Sequence, residues 1–89
     1  MTKAIKKIPY KFVHVYWVDI TSDSSWRSLE DIKEENLPRC VSTGWLVSDE
    51  EKIVRIVSDF NFKEDGTIDE YGNSTIIPKC VIYDIKEVK

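Results

Sequence analysis

The sequence has few of the residues that most often carry catalysis or metal binding. Its 89 residues include one histidine, two cysteines and three glycines. It contains no Cys-x-x-C pair, no glycine-rich phosphate loop and no nucleophile elbow, which are common signatures of metal, nucleotide and hydrolase sites. We therefore predict a protein that is not an enzyme and that uses no metal or cofactor.

Long apolar runs and an excess of basic side chains are also missing. No segment is long enough for a transmembrane helix, and Ala4-Ile5 is far too short for the apolar part of a signal peptide. The formal net charge is −3, so the protein as a whole does not attract a phosphate backbone. These features predict a cytoplasmic protein with no membrane partner, and they make a nucleic-acid partner unlikely.

The two cysteines, Cys40 and Cys80, lie in strand-like segments. Without an export signal, thiols stay reduced, and free cysteine is among the most buried residue types. We expect two buried thiols rather than the disulfide that an even number of cysteines would allow.

Residues 38–62 are central to the predicted fold. Two segments rich in β-branched and aromatic residues, 38–48 and 53–62, are joined by the charged segment 49–52, which is typical of a β-hairpin. Gly44 lies within the first strand, where glycine indicates a sharp bend or the close approach of another backbone. A bent strand allows a small sheet to curl into a barrel.

The segment before the hairpin predicts one strand and one short helix. Residues 10–20 are apolar on both faces of a strand, and His14 between two valines fits a structural strand residue better than a catalyst. Ser28 can cap a helix that stops before Pro38. The helix is too short to stand alone, so its apolar edge, Leu29 and Ile32, is expected to pack on the sheet.

The segment after the hairpin predicts two more strands. Residues 63–73 read as a polar surface loop, which resembles half of a calcium-binding loop but lacks its ligands. A short strand at 74–78, a tight turn at 78–80 and a last strand at 81–88 follow. Val81, Tyr83 and Ile85 are predicted to share one face of that last strand.

Residues 1–9 contain lysines but no acidic side chain. We interpret this segment as a solvated basic leader, which can be disordered, because short basic tails are common. Residues 10–89 are then a single domain, since the length suits one domain and no linker interrupts them.

The end of the chain resembles the end of SH3-like and Sm-like barrels. Ile-Ile-Pro-Lys at residues 76–79, a single turn and Val-Ile-Tyr-Asp-Ile at 81–85 are similar to their last two strands, which one 3₁₀ turn separates. The strand with a central Gly44, its turn and its partner strand look like the Sm-like pattern. The resemblance covers residues 41–85. It implies a mainly β fold, a small five-stranded barrel with one short helix between strands 1 and 2.

A second resemblance covers more of the chain. Residues 16–19, 25–30, 38–47 and 77–82 are similar to a group of small proteins of tailed bacteriophages. The resemblance brings no activity with it. It implies a phage-encoded protein that acts in the cytoplasm of an infected bacterium.

The candidate ligand-binding residues are Trp26 and Arg27, together with Trp17 and Asp19 at the end of the strand leading to them. Trp26 offers a ring for stacking, and Arg27 offers a guanidinium for phosphate or carboxylate. The structural alternative is that Trp26 anchors the loop to the barrel and Arg27 is only solvated, because aromatic residues are more often core than site.

A basic patch would favour a different function. Its candidate residues are Lys6, Lys7, Arg39, Arg55 and Lys79. On an Sm-like ring such a patch would bind RNA, although the acidic net charge argues against it.

These observations predict a non-catalytic, phage-encoded binding protein in the host cytoplasm. We expect a homo-oligomer formed by edge-strand pairing, with the first and last strands as candidate edges. The oligomer would sequester a small nucleotide-like signal or inhibit a host defence protein. An Sm-like RNA-binding protein and a minor virion or assembly component are the alternatives.

Overall fold

The computed structural model describes residues 4–89, so Lys3 of the predicted leader lies outside the described residues. In chain order the elements are β1 (Lys11–Val18), α1 (Leu29–Glu34), β2 (Arg39–Asp49), β3 (Ile53–Phe62), β4 (Ile68–Pro78), a 3₁₀ turn (Lys79–Val81) and β5 (Ile82–Glu87). All five strands form one antiparallel sheet in the order β4-β3-β2-β1-β5. The fold is mainly β with one short helix between strands 1 and 2, as the sequence predicts.

The sheet is open, because β4 and β5 form its two edges. The predicted closure into a barrel is not seen in the sheet that residues 11–87 form. The 3₁₀ turn between β4 and β5 lies one residue later than the predicted turn at 78–80, and the amide of Lys79 donates to the Lys52 carbonyl at 2.8 Å. This hydrogen bond joins the 3₁₀ turn to the turn between β2 and β3.

β1 lies inside the sheet, since it pairs with both β2 and β5. The apolar character of both faces of this strand agrees with its central position, so the first strand is not the candidate edge, whereas the last strand is an edge as predicted. His14 on β1 is a satisfied strand residue, because its Nδ1 lies 2.7 Å from Thr43 Oγ1.

Aliphatic side chains of three strands form the core. Its buried members are Val13, Val15, Val54, Ile56 and Ile77. They alternate with exposed or half-buried residues along β1 and along β3 as far as Ile56, as expected of strands with one face on a core, whereas the next residue, Val57, is also buried. The half-buried side chains that pack against them are Trp17, Leu46, Val81, Ile82 and Ile85.

Gly44 marks a close approach between β2 and β3. It is buried, and a Cβ atom at this position would lie 2.8 Å from the Val57 carbonyl oxygen. The paired register of β2 and β3 ends at Val57, while that of β3 and β4 continues to Phe62. The close backbone approach predicted from the mid-strand glycine is therefore confirmed.

β4 is longer than the sequence predicts. The predicted loop over residues 63–73 is wrong in its second half, because β4 already begins at Ile68. Its first residues are mostly polar and exposed, as is usual on an edge strand, and polarity alone does not separate such a strand from a loop. The actual turn is short, and the Lys63 amide donates to the Thr67 carbonyl at 2.8 Å.

The predicted face of β5 is wrong at Tyr83. The register between β1 and β5 shifts at Tyr16 and Trp17, and a period-2 pattern does not continue through such an irregularity. As a result Val81 and Ile85 pack against the core together with Ile82, whereas Tyr83 is exposed.

The helix is predicted correctly in position but not in packing. Ser28 caps α1, since its Oγ accepts a hydrogen bond from the Asp31 amide at 3.2 Å. All residues of α1 are exposed, including Leu29 at 62% and Ile32 at 49% of their surface. The expectation that this apolar edge packs on the sheet is therefore wrong.

The molecule is elongated for its length. Its radius of gyration is 18.4 Å and its extents are 66 × 24 × 22 Å, whereas a compact chain of this length has a radius of about 12 Å. An element that projects from the sheet without packing on it contributes to such a shape.

Both cysteines are free thiols. Cys40 on β2 is half-buried, and Cys80 in the 3₁₀ turn is exposed. The prediction of two buried thiols is wrong, because Cys40 is only half-buried and Cys80 belongs to the turn rather than to a strand facing the core.

Candidate functional site

The segment between β1 and β2 forms a projecting arm, residues 19–38. Its ends are held together at the sheet, because the Asp19 amide donates to the Pro38 carbonyl at 3.0 Å. Between these ends, every residue except Arg27 is exposed. The arm carries a series of large apolar side chains at its surface: Ile20, Trp26, Leu29, Ile32 and Leu37.

Trp26 is the most exposed large apolar residue of the described chain, at 101% of its reference surface. The alternative in which it anchors the loop to the sheet is therefore wrong. Full exposure of a tryptophan costs free energy in water, about 2 kcal/mol or more relative to burial. A side chain in this state is available for contact with another molecule.

Arg27 holds the arm together. Its Nη2 lies 3.2 Å from Glu35 Oε2, and its Nε lies 3.8 Å from Asp23 Oδ2. The hydrogen bond to Glu35 raises the pKa of Arg27, and hydrogen bonds from Ser25, with a smaller effect of Arg27, lower the pKa of Asp23. Arg27 thus connects the segment before α1 to its C-terminal end, although its Nε atom has no hydrogen-bond partner.

Trp17 and Asp19 lie at the base of the arm. Trp17 donates from Nε1 to Ser42 Oγ at 2.9 Å and packs against the core, while Asp19 Oδ1 accepts from the Ile20 amide. An apolar groove of about 300 Å³ runs between this end of β1 and β4. The four predicted site residues therefore form two separate sets, Trp26 with Arg27 on the arm and Trp17 with Asp19 at its base.

The predicted basic residues do not converge on one patch. Arg55 pairs with Glu50 in the turn between β2 and β3, and Lys79 pairs with Asp49 at the end of β2. Arg39 is exposed at the start of β2. The two leader residues, Lys6 and Lys7, lie beside the turn between β3 and β4, where the Lys6 amide donates to the Gly66 carbonyl at 2.9 Å.

A second surface, the aromatic groove, was missed by sequence reasoning. It has a volume of about 680 Å³ and lies around the start of β1, where Tyr10, Phe12 and Trp45 form its apolar part and Lys7 and Lys11 lie at its rim. These rings belong to a larger aromatic cluster that also includes Phe60, Phe62 and Tyr71. The alternation of lysine with aromatic residues before β1 was the available signal.

Charge differs between the arm and the rest of the chain. Residues 19–38 contain six carboxylate side chains and two basic ones, although the whole chain has a net charge of only −3. The arm therefore combines exposed apolar side chains with a locally acidic surface.

No known protein family matches the sequence, and neither a curated protein nor a solved structure is significantly similar to the chain. Among residues 4–89, no group of three or more histidine, cysteine or acidic side chains is placed to hold a metal ion. No helix in the same range is long and apolar enough to cross a membrane.

Proposed function

We propose that this chain is a non-catalytic binding protein that captures another protein through its arm. The observation that carries the proposal is the complete exposure of Trp26 on an element that projects from the sheet. Tryptophan is strongly enriched among the residues that dominate the free energy of protein–protein binding. The ion pairs of Arg27 order the arm in advance, which reduces the entropy lost on binding.

Charge favours a protein partner over an anionic one. Three of the cations that could bind a nucleotide-like ligand or RNA are already paired with a carboxylate: Arg27, Arg55 and Lys79. The arm itself is acidic and apolar. Its complement is an apolar cleft with lysine or arginine at its rim on the partner protein.

The strand order supports a finer proposal for the fold. An antiparallel sheet in the order β4-β3-β2-β1-β5, with one 3₁₀ turn between β4 and β5, is consistent with the SH3-like or Sm-like resemblance of residues 41–85. We place the chain with these small β folds as a proposal. From the resemblance to proteins of tailed bacteriophages, we propose that the partner is a protein of the infected bacterium, specifically a host defence protein.

The test begins with purification of the untagged protein from infected cells, followed by native mass spectrometry. We expect a stoichiometric partner polypeptide, which is then produced separately and titrated with the wild type and with Trp26→Ala. Because Trp26 is exposed, the variant folds, and we expect affinity to fall by about 30-fold or more. Tyr83→Ala is the matched control, since Tyr83 is an exposed aromatic residue outside the arm.

Three results would contradict the proposal. A bound species of a few hundred daltons would replace it with small-ligand capture. Copurified RNA that is released by salt would favour the Sm-like alternative. Presence of the chain in purified virions, with equal partner affinity for wild type and Trp26→Ala, would favour a structural component.

A further inference from the structure

Two surfaces that carry apolar side chains outside the core, the arm and the aromatic groove, have opposite charge. The arm presents Trp26 and Leu29 among acidic residues such as Glu30, Asp31 and Glu34. The aromatic groove presents Tyr10, Phe12 and Trp45 between Lys7 and Lys11, with Glu87 as an acidic lining residue. Lys11 pairs with Glu87 at 4.0 Å, and its side chain is 71% exposed and so remains accessible to a second carboxylate.

We infer that the arm of one copy docks in the aromatic groove of a second copy. The rings of the groove would cover Trp26 and Leu29, and Lys7 and Lys11 would face the carboxylates of α1. Both the apolar match and the charge match needed for such an interface are present on this chain. The groove, at about 680 Å³, has room for an indole ring and a leucine side chain.

The two surfaces of the same copy do not meet in the structure, because Trp26 is fully exposed. The groove lies around the start of β1, and the arm begins where β1 ends. The eight residues of β1 span about 25 Å. The 66 Å length of the molecule and the exposed state of Trp26 agree with an arm that extends away from the groove.

Docking of an arm into a different surface is a heterologous contact. A complex of two copies therefore still has one free arm and one free groove. Such contacts produce rings if they close and open chains if they do not. The inference rests on the proposed function only because both proposals use the arm as a binding surface. Self-association would cover Trp26 until a partner protein competes for it.

A complementation experiment tests the inference on the full-length chain. One variant, Trp26→Ser with Leu29→Ser, disables the arm; the other, Lys7→Glu with Lys11→Glu, disables the groove. All four side chains are exposed, so both variants fold. By sedimentation velocity we expect the wild type to exceed its monomer mass of 10.4 kDa increasingly with concentration.

Each variant alone is expected to stay monomeric, and an equimolar mixture is expected to form a 1:1 dimer of twice the monomer mass. The dimer forms because the intact arm of one variant meets the intact groove of the other. Lys52→Glu with Lys86→Glu changes the net charge equally outside the groove, and it should associate like the wild type.

A monomeric wild type at all concentrations would overturn the inference. So would a groove variant that still dimerises on its own, because that result indicates arm–arm contact. Failure of the proposed function alone gives a different result. The equimolar mixture of the two variants then dimerises, but no partner protein binds through Trp26.

Discussion

Gly44 shows how one residue can decide the course of two strands. The backbone of β3 passes so close to it that a side chain has no room, with the Val57 carbonyl oxygen 2.8 Å from the position of a Cβ atom. At this point the pairing of β2 with β3 ends and β3 continues with β4. Glycine is required here for space rather than for an unusual backbone angle.

We expect Gly44→Ala to lower the free energy of unfolding by about 1–3 kcal/mol, because the added methyl group forces the backbone of β3 to move. Urea denaturation monitored by tryptophan fluorescence measures the change. Gly72→Ala is the matched control, since its Cβ would lie 3.4 Å from Asp59 Cβ, an ordinary contact, and should alter stability by about 0.5 kcal/mol or less. Equal losses in the two variants would contradict the close-approach explanation.

Residue-level prediction from the sequence succeeds where a single local constraint acts. The cap at Ser28 and the hydrogen-bonded His14 follow from residue type and neighbours. The exposure of Trp26 does not, because a tryptophan in a loop is compatible with both core and surface until the tertiary packing is known. The ion pairs of Arg27 depend on the same packing.

At the scale of elements, α1 is unusual because it forms without a partner. A helix of six residues is marginal in water, so its cap and the ion pair between Arg27 and Glu35 supply much of its stability. The sheet contributes little to it, since every residue of α1 is exposed. The arm and the sheet should therefore unfold independently.

Ser28→Ala tests this independence. Loss of the cap costs the helix about 1 kcal/mol, so amide hydrogen exchange across residues 29–35 should become about fivefold faster, while the urea midpoint of the whole protein stays unchanged. Hydrogen exchange followed by mass spectrometry measures the first quantity. Ser24→Ala, in the same arm but outside the helix, is the control. A lower urea midpoint in Ser28→Ala would mean that α1 supports the sheet.

The strands and turns show what a sequence pattern can and cannot predict. The hairpin of β2 and β3 and the 3₁₀ turn before β5 were predictable, because β-branched runs, charged turns and a proline act locally. The first half of β4 was not, because an exposed edge strand has the composition of a loop. The prediction that α1 packs on the sheet was wrong, because an amphipathic pattern predicts a face that can be buried but not the surface that covers it.

At the scale of the whole molecule, the arm separates the binding element from the folded sheet. The hydrogen bond between Asp19 and Pro38 brings the two ends of the arm together. The core residues come from β1, β3 and β4, and none belongs to the arm. The sheet can therefore be expected to fold without residues 20–37.

Replacement of residues 20–37 by a short Gly-Ser linker tests this division. We expect the variant to keep the thermal midpoint of the wild type within a few degrees and to have a radius of gyration clearly below 18.4 Å. Small-angle X-ray scattering measures the radius, and circular dichroism measures the midpoint. A matched variant that inserts the same linker sequence between Glu50 and Glu51 keeps the arm and should keep the full length. An unchanged radius after deletion would assign the elongation to the hairpin of β3 and β4.

The central position of β1 has a consequence for biosynthesis. β1 is made first among the strands but needs β5, which is made last, as one of its two neighbours. During translation, one side of β1 therefore presents unpaired backbone groups until β5 has been made. Chains stalled or truncated before β5 should be substrates for chaperones and proteases, whereas a chain that contains β5 can complete its sheet.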